Sequence, residues 1–220
     1  MINLMNFLRD HWTHAAPILL AGAVAVAIIF ERSMALFVAY PMRGMSKFLD
    51  NVRELIFAGR QKDALALCER YERKPAVQVI KQGLMRAHQP VYLVEQGLEI
   101  AVSEIVLKIQ RRTGFLATIA NVATLLGLLG TIAGLIQSFE GVGSADAQQK
   151  TALLAAGIST AMNATMLGLG IAIPCMIAFS LLANRANRLV AEVDQAALRV
   201  TDLLKQYHHE KSPRGERKSA

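Results

Sequence analysis

Two charge-free runs of this chain carry polar side chains whose chemistry is limited to hydrogen bonding. Thr118, Asn121, Thr124 and Thr131 lie in the first run, and Ser159, Thr160, Asn163 and Thr165 in the second. Neither run holds an acidic pair, a cluster of His and Cys, or a Ser/His arrangement, so bond-making chemistry is not expected and the chain does not read as an enzyme. A threonine hydroxyl has two outlets in an apolar helix: the carbonyl three or four residues back, or a partner on another helix. Both stay open here. An asparagine amide cannot be satisfied so locally, so Asn121 and Asn163 are expected to meet a neighbouring helix or water. At ~100° per residue Thr124, Thr131 and Ser138 fall within ~40° of one another, Thr160 and Asn163 lie ~60° apart, and Thr165 points elsewhere. A chain that carried charge through a membrane alone would need a titratable side chain at depth. Only Glu31 comes near, at an end of the first apolar stretch, so the titrating group must belong to another chain.

The elements that hold these residues read as membrane helices. Phe115 to Phe139 is 25 residues without Asp, Glu, Lys, Arg or His, and Thr151 to Ala183 is 33, with Cys175 its sole ionisable side chain and Pro174 its sole interruption. A spanning helix needs ~20. Between them Gly141, Gly143, Asp146 and Lys150 predict a turn at a water interface. Ala15 to Phe30 is a third apolar stretch, followed by Glu31-Arg32, whose charges can snorkel at an interface. A cleaved signal peptide is the rival reading. Arg9 and Asp10 do not make a basic leader region and no convincing cleavage site follows, so the stretch is taken as a retained helix.

The expected organisation is an all-α membrane protein with an N-terminal segment at 1–14, a first span at 15–40, a helical domain at 41–113, a second span at 114–139, a loop at 140–150, a third span at 151–183, a C-terminal helix at 184–208 and a disordered basic tail at 209–220. Of 24 Lys and Arg, 13 lie in 41–113 and eight in 184–220. Both segments are therefore expected in the cytoplasm, with the N-terminus and the 140–150 loop outside. The net charge of +7 then reflects topology, and nucleic-acid binding is not expected. Cys68 and Cys175 fall in separate surroundings, where a mutual disulfide is implausible.

In the 41–113 segment Met45 to Ala58 and Lys62 to Arg73 show apolar residues at helical spacing, Gly59 is a stop signal and Pro75 opens another helix. From Val91 no strong breaker appears before residue 140. One helix from Val91 to Phe139, roughly 74 Å long, is expected. Asn184 to about Tyr207 is expected to continue the third span, with Leu189, Val193, Ala196/Ala197, Val200 and Leu203/Leu204 as its apolar stripe.

Gly130 and Gly134 form a GxxxG, while Ala164, Gly168 and Ala172 place a small residue every fourth position. Such residues allow close helix approach. Packing of the second span on the third and assembly of several copies are both open uses; a homo-oligomer is the expectation.

The runs Gly127-Leu128-Leu129-Gly130-Thr131-Ile132-Ala133-Gly134, Gly157-Ile158-Ser159-Thr160-Ala161-Met162-Asn163-Ala164-Thr165 and Gly168 to Pro174 resemble the paired membrane motifs of the ExbB/TolQ/MotA proton-channel family. Glu31-Arg32 and Ala64-Leu65-Ala66-Leu67-Cys68 extend the resemblance, which is closest to the three-span ExbB/TolQ branch. It implies a pentameric ring in the bacterial inner membrane, enclosing a dimer of a single-span ExbD/TolR/MotB-like partner that carries the titrating Asp. It also implies that Thr131 and Thr165 face that carboxylate. Thr160, Asn163 and Asn121 are expected to border the ion path with them, and Gly127, Gly130, Gly134, Gly168 and Pro174 to serve helix packing. The implied task is conversion of proton flow into mechanical work, without a cofactor. A sodium-driven motor and a non-conducting membrane scaffold are the alternatives. Two positions depart from the family: Thr160 stands where ExbB and TolQ usually carry Glu in a Gly-Ile-x-Glu-Ala pattern, and Thr124 where Pro commonly precedes Leu-Leu-Gly. The missing Glu weighs against the iron-uptake and Tol tasks and leaves gliding or another envelope task in view.

Overall fold

The computed structural model describes residues 12–42, 44–144 and 148–211, and every regular element among them is helical. In chain order these are α1 (Trp12–Ser33), a π-helical turn (Met34–Ala39), α2 (Met45–Phe57), α3 (Gln61–Arg70), α4 (Pro75–Met85), α5 (Val91–Gln110), α6 (Thr113–Ser144) and α7 (Lys150–Lys211). Three stretches are long and apolar enough to cross a membrane, beginning at Ala15, Val91 and Lys150. The expectations for 1–11 and for the tail from 212 on lie outside the described residues.

The chain divides into two compact units, one of residues up to Arg32 with Arg112–Ala183, the other of Ser33–Arg111 with residues from Asn184 on. In the first unit the helices meet through small side chains. Ala15 and Ala164 are fully buried against one another with Leu167 beside them, and Gly22 of α1 faces the Ile171 side chain of α7. Small residues suit a bilayer, where burying apolar surface brings no gain over lipid and attraction rests on close van der Waals contact.

The second unit is built like a water-facing domain. Phe48, Leu49, Val52 and Ile56 form the buried face of α2, and Val77, Val79, Ile80 and Leu84 that of α4. Gly59 ends α2 as the sequence predicts. Its φ of 76° is left-handed, and the bonds from Gly59 N to Ile56 O and from Arg60 N to Leu55 O close a Schellman motif. Pro75 opens α4 at its first turn, where its missing N–H costs nothing. The predicted stripe of α7 is buried at Leu189, Val193, Ala196, Val200 and Leu204.

Three expected helix extents are corrected. The single helix from Val91 to Phe139 is broken at Arg111–Arg112, where Arg111 is extended (ψ 135°) and Arg112 is left-handed (φ 63°). A left-handed Arg is uncommon and sterically unfavourable; here it comes with an ion pair, since Arg112 Nη1 donates to both Glu31 oxygens at 2.8 and 2.6 Å. The turn expected from residue 140 starts later: α6 runs through Gly141 and Gly143 to Ser144, because isolated glycines weaken a helix without stopping it. The C-terminal helix likewise passes His208, whose Nδ1 lies 2.7 Å from Leu204 O, and reaches Lys211.

Candidate functional site

The two charge-free runs lie in α6 and in the first part of α7, and glycine sets their separation. A Cβ on Gly127 would stand 3.2 Å from Gly168 Cα and 3.3 Å from Thr165 Cα; one on Gly168 would stand 2.9 Å from Gly127 Cα and 2.7 Å from Ala123 O. Further along, Gly130 faces Ala164 and Gly134 faces the backbone of Ala161. The GxxxG and the small-residue repeat of α7 are therefore consumed within one chain. Pro174 sits inside α7 with its ring exposed, away from this seam.

That proximity sorts the hydroxyls. Thr124 donates to Ala120 O, Thr131 to Leu128 O at 2.5 Å, Ser138 to Gly134 O and Thr160 to Ala156 O, each within its own helix. Thr165 alone among these crosses, donating to Gly127 O at 3.2 Å. In α6 the i to i−4 pattern pairs that same carbonyl with the Thr131 amide. Thr131 and Thr165 thus share one hydrogen-bonded step of backbone, and Thr131 is half-buried there. Asn121 is exposed and Asn163 half-buried, and among the described residues neither amide has a hydrogen-bond partner. Gln137, Ser138 and Thr160 line a small cleft of about 200 Å³ between the two helices.

Around these polar points the surface is apolar: Leu125, Leu128, Leu129 and Ile132 on α6 and Met162, Met166 and Leu169 on α7 are exposed. Among the described residues no group of His, Cys, Asp and Glu could hold a metal ion. The arrangement offers hydroxyls, amides and a doubly used carbonyl along an uncharged wall. Such a wall can solvate or position an ion-carrying group brought by another chain.

Sequence reasoning missed two features. Gly157 is packed against the Ser138 side chain, a contact hidden because helical spacing groups Ser138 with Thr124 and Thr131. The Glu31–Arg112 pair escapes notice because both residues read as helix-end charges, with nothing in the sequence to join them.

The sequence profile of the MotA/TolQ/ExbB proton channel family matches residues 71–195. This chain belongs to that family. Tol-Pal system protein TolQ of Pseudomonas aeruginosa is 37% identical over 98 residues, covering 44% of this chain and 42% of its own. TolQ of Haemophilus influenzae is 30% identical over 138 residues, 63% of this chain and 56% of its own. Biopolymer transport protein ExbB of Salmonella typhimurium is 34% identical over 106 residues, 47% and 42% respectively. The chain spans about half the length of the curated relatives it matches. Its fold is similar to that in the structure of C. jejuni MotAB, with a TM-score of 0.50 and 16% identity over 100% of this chain and 87% of that one. As a member of the MotA/TolQ/ExbB family with three helices long and apolar enough to cross a membrane, it is an inner-membrane protein.

Proposed function

We propose that this chain is the ring-forming subunit of a motor driven by the ion-motive force, and that Thr131 and Thr165 are the points at which a partner's carboxylate is read. Five copies surround a dimer of a single-span ExbD/TolR/MotB-like partner whose membrane Asp titrates. The N-terminus lies outside and the C-terminal helix in the cytoplasm. The observation that carries this reading is the bond from Thr165 to Gly127 O, which joins both threonines to one backbone step in spans that hold no charge.

Protons reach the partner's Asp from the outer side and neutralise it near Thr131 and Thr165. The neutral carboxyl then passes the apolar wall of Leu128, Leu129 and Ile132, and the proton leaves toward the cytoplasm. Asn121 and Asn163, whose amides need partners, border the path, and Thr160 stands at the cleft where relatives carry an acid. Each charge crossing gains about 2.3 kcal/mol per 100 mV and about 1.4 kcal/mol per favourable pH unit. This is several times thermal energy, enough to bias a rotational step.

The test uses the chain and its partner co-expressed and reconstituted in vesicles under an imposed proton gradient. Thr131→Val and Thr165→Val should each lower proton flux at least about tenfold, as loss of a 1.4 kcal/mol interaction in the barrier does, while the complex keeps its size. Full flux in both variants would refute the assigned roles. Absence of flux in the unaltered complex under both proton and sodium gradients would favour the scaffold, and flux only with sodium would replace the ion.

A further inference from the structure

Directly after the first apolar stretch, within the second unit, the π-helical turn and the start of α2 enclose a cavity of about 600 Å³. Its walls are aromatic and cationic. Phe37, Phe48 and Tyr71 supply the rings, with Phe48 and Tyr71 meeting edge to face at 5.7 Å, and Lys47 and Lys74 supply two ammonium groups. No Asp or Glu lines it, and among the described residues neither lysine is paired with a carboxylate. Lys74 is fixed in place: its Nζ donates to Ala39 O at 2.9 Å and Pro41 O at 2.8 Å, which leaves one of its three donors. A third cation stands close by, with the Arg185 guanidinium 5.7 Å from the Phe37 ring centre. At Gly44, whose φ is 85°, a Cβ would meet nothing within 4 Å, so the mouth is open there.

The setting selects the ligand. The first stretch long and apolar enough to cross a membrane runs Ala15–Ala39, which puts Phe37, Val38 and Met42 at its end. Met34, Phe37 and Val38 are exposed at 54%, 55% and 71%, an apolar strip leading up to the cationic walls. A small hydrated anion would gain nothing from that strip, and a zwitterionic head group would bring a cation among cations. We propose that the cavity holds the head group of an anionic phospholipid, with its phosphate at Lys47 and Lys74 and an acyl chain along Phe37, Val38 and Met34. Bound lipid would fix the exit of the first span independently of any ion movement.

The full chain, purified in mild detergent and stripped of lipid, is titrated with phosphatidylglycerol, with phosphatidylcholine of the same acyl chains and with inorganic phosphate, and bound species are read by native mass spectrometry. Phosphatidylglycerol should bind at least about fivefold more tightly than phosphatidylcholine, and Lys47→Gln should weaken it about fivefold. Lys62→Gln, an exposed lysine of α3 outside the cavity, should leave it unchanged. Lys47 is itself exposed, so folding is not at stake in the decisive variant; Lys74→Met, which also removes two backbone bonds, serves only to confirm. Equal binding of the two lipids, or equal losses in Lys47→Gln and Lys62→Gln, would overturn the proposal. Displacement of phosphatidylglycerol by inorganic phosphate at matching concentration would overturn it too, in favour of a free-anion site.

Discussion

The two units of this molecule bury different things. In the unit of α1, α6 and the first part of α7, the buried residues are chiefly Ala120, Ala123, Ala161, Ala164 and Ala172 with the seam glycines, and the large side chains Leu125, Leu128, Ile132 and Met162 are exposed. In the other unit Val52, Ile56, Val77, Ile80, Val94 and Val200 are fully buried. Lipid is as apolar as leucine, so a spanning helix gains most from backbone approach; in water, removing large apolar groups from solvent dominates. The same chain follows both rules, and a substitution should hurt for opposite reasons in the two units.

The largest effect is expected from Gly168→Leu. Its Cβ would meet Gly127 Cα and Ala123 O, which are backbone and cannot turn aside, so α6 and α7 must separate. Monodisperse protein should vanish from size-exclusion profiles of detergent extracts. In the other unit Ile80→Ala should cost about 2–5 kcal/mol through the cavity it leaves, read as a fall in melting temperature. Gly83→Ala sharpens the contrast, because its Cβ would meet only side chains, Val200 Cγ1 at 2.7 Å and Leu98 Cδ2 at 3.2 Å. These can rotate, and a loss of about 1–3 kcal/mol is expected, against a larger loss for Gly168→Ala measured in the same way.

Burial in the water-facing unit also has a pH signature. Cys68 is fully buried, and burial pushes its thiol up to about 11, with the Lys81 charge acting in the opposite direction. The folded state holds this proton more tightly than the unfolded one, so stability is complete below the ordinary thiol range near 9.0 and falls as pH rises toward 11. The fall should amount to about 2–3 kcal/mol and be absent in Cys68→Ala. At pH 8 its alkylation by iodoacetamide should be about a hundredfold slower than that of free cysteine. The smallest effect is expected from Thr165→Val on stability alone, about 0.6–1 kcal/mol for one interhelical hydrogen bond, even though ion flux should collapse. A stability loss of several kcal/mol there would mean that Thr165 is a packing residue.

Local chemistry made much of this architecture readable. The uncharged runs gave the spans, Gly59 and Pro75 gave their helix boundaries, and the Leu189, Val193, Val200 spacing gave the buried stripe. Absence of charge in the spans is also what directs the proposal to a titrating group on another chain. What failed depended on which chain segments meet in space. Nothing between Arg111 and Thr113 announces a left-handed residue until Glu31 is seen beside it. The preference of Thr165 for a carbonyl of another helix, while Thr131 and Thr160 bond to their own, likewise follows from the glycine-set separation of α6 and α7 and not from residue type.

The break at Arg111–Arg112 has a mechanical corollary. The second apolar stretch is divided there into α5 and α6, with two non-helical residues between them, so its helical hydrogen-bond ladder is interrupted at that point. No such break exists in α7, a single helix of 62 residues and about 93 Å. Torsion applied to α7 in the membrane is carried through its continuous hydrogen-bond ladder, softened only where Pro174 leaves Gly170 O without its helical donor. Of the two helices that bear the candidate site, one runs on as a single helix well beyond its apolar run, and the other begins only after a two-residue break.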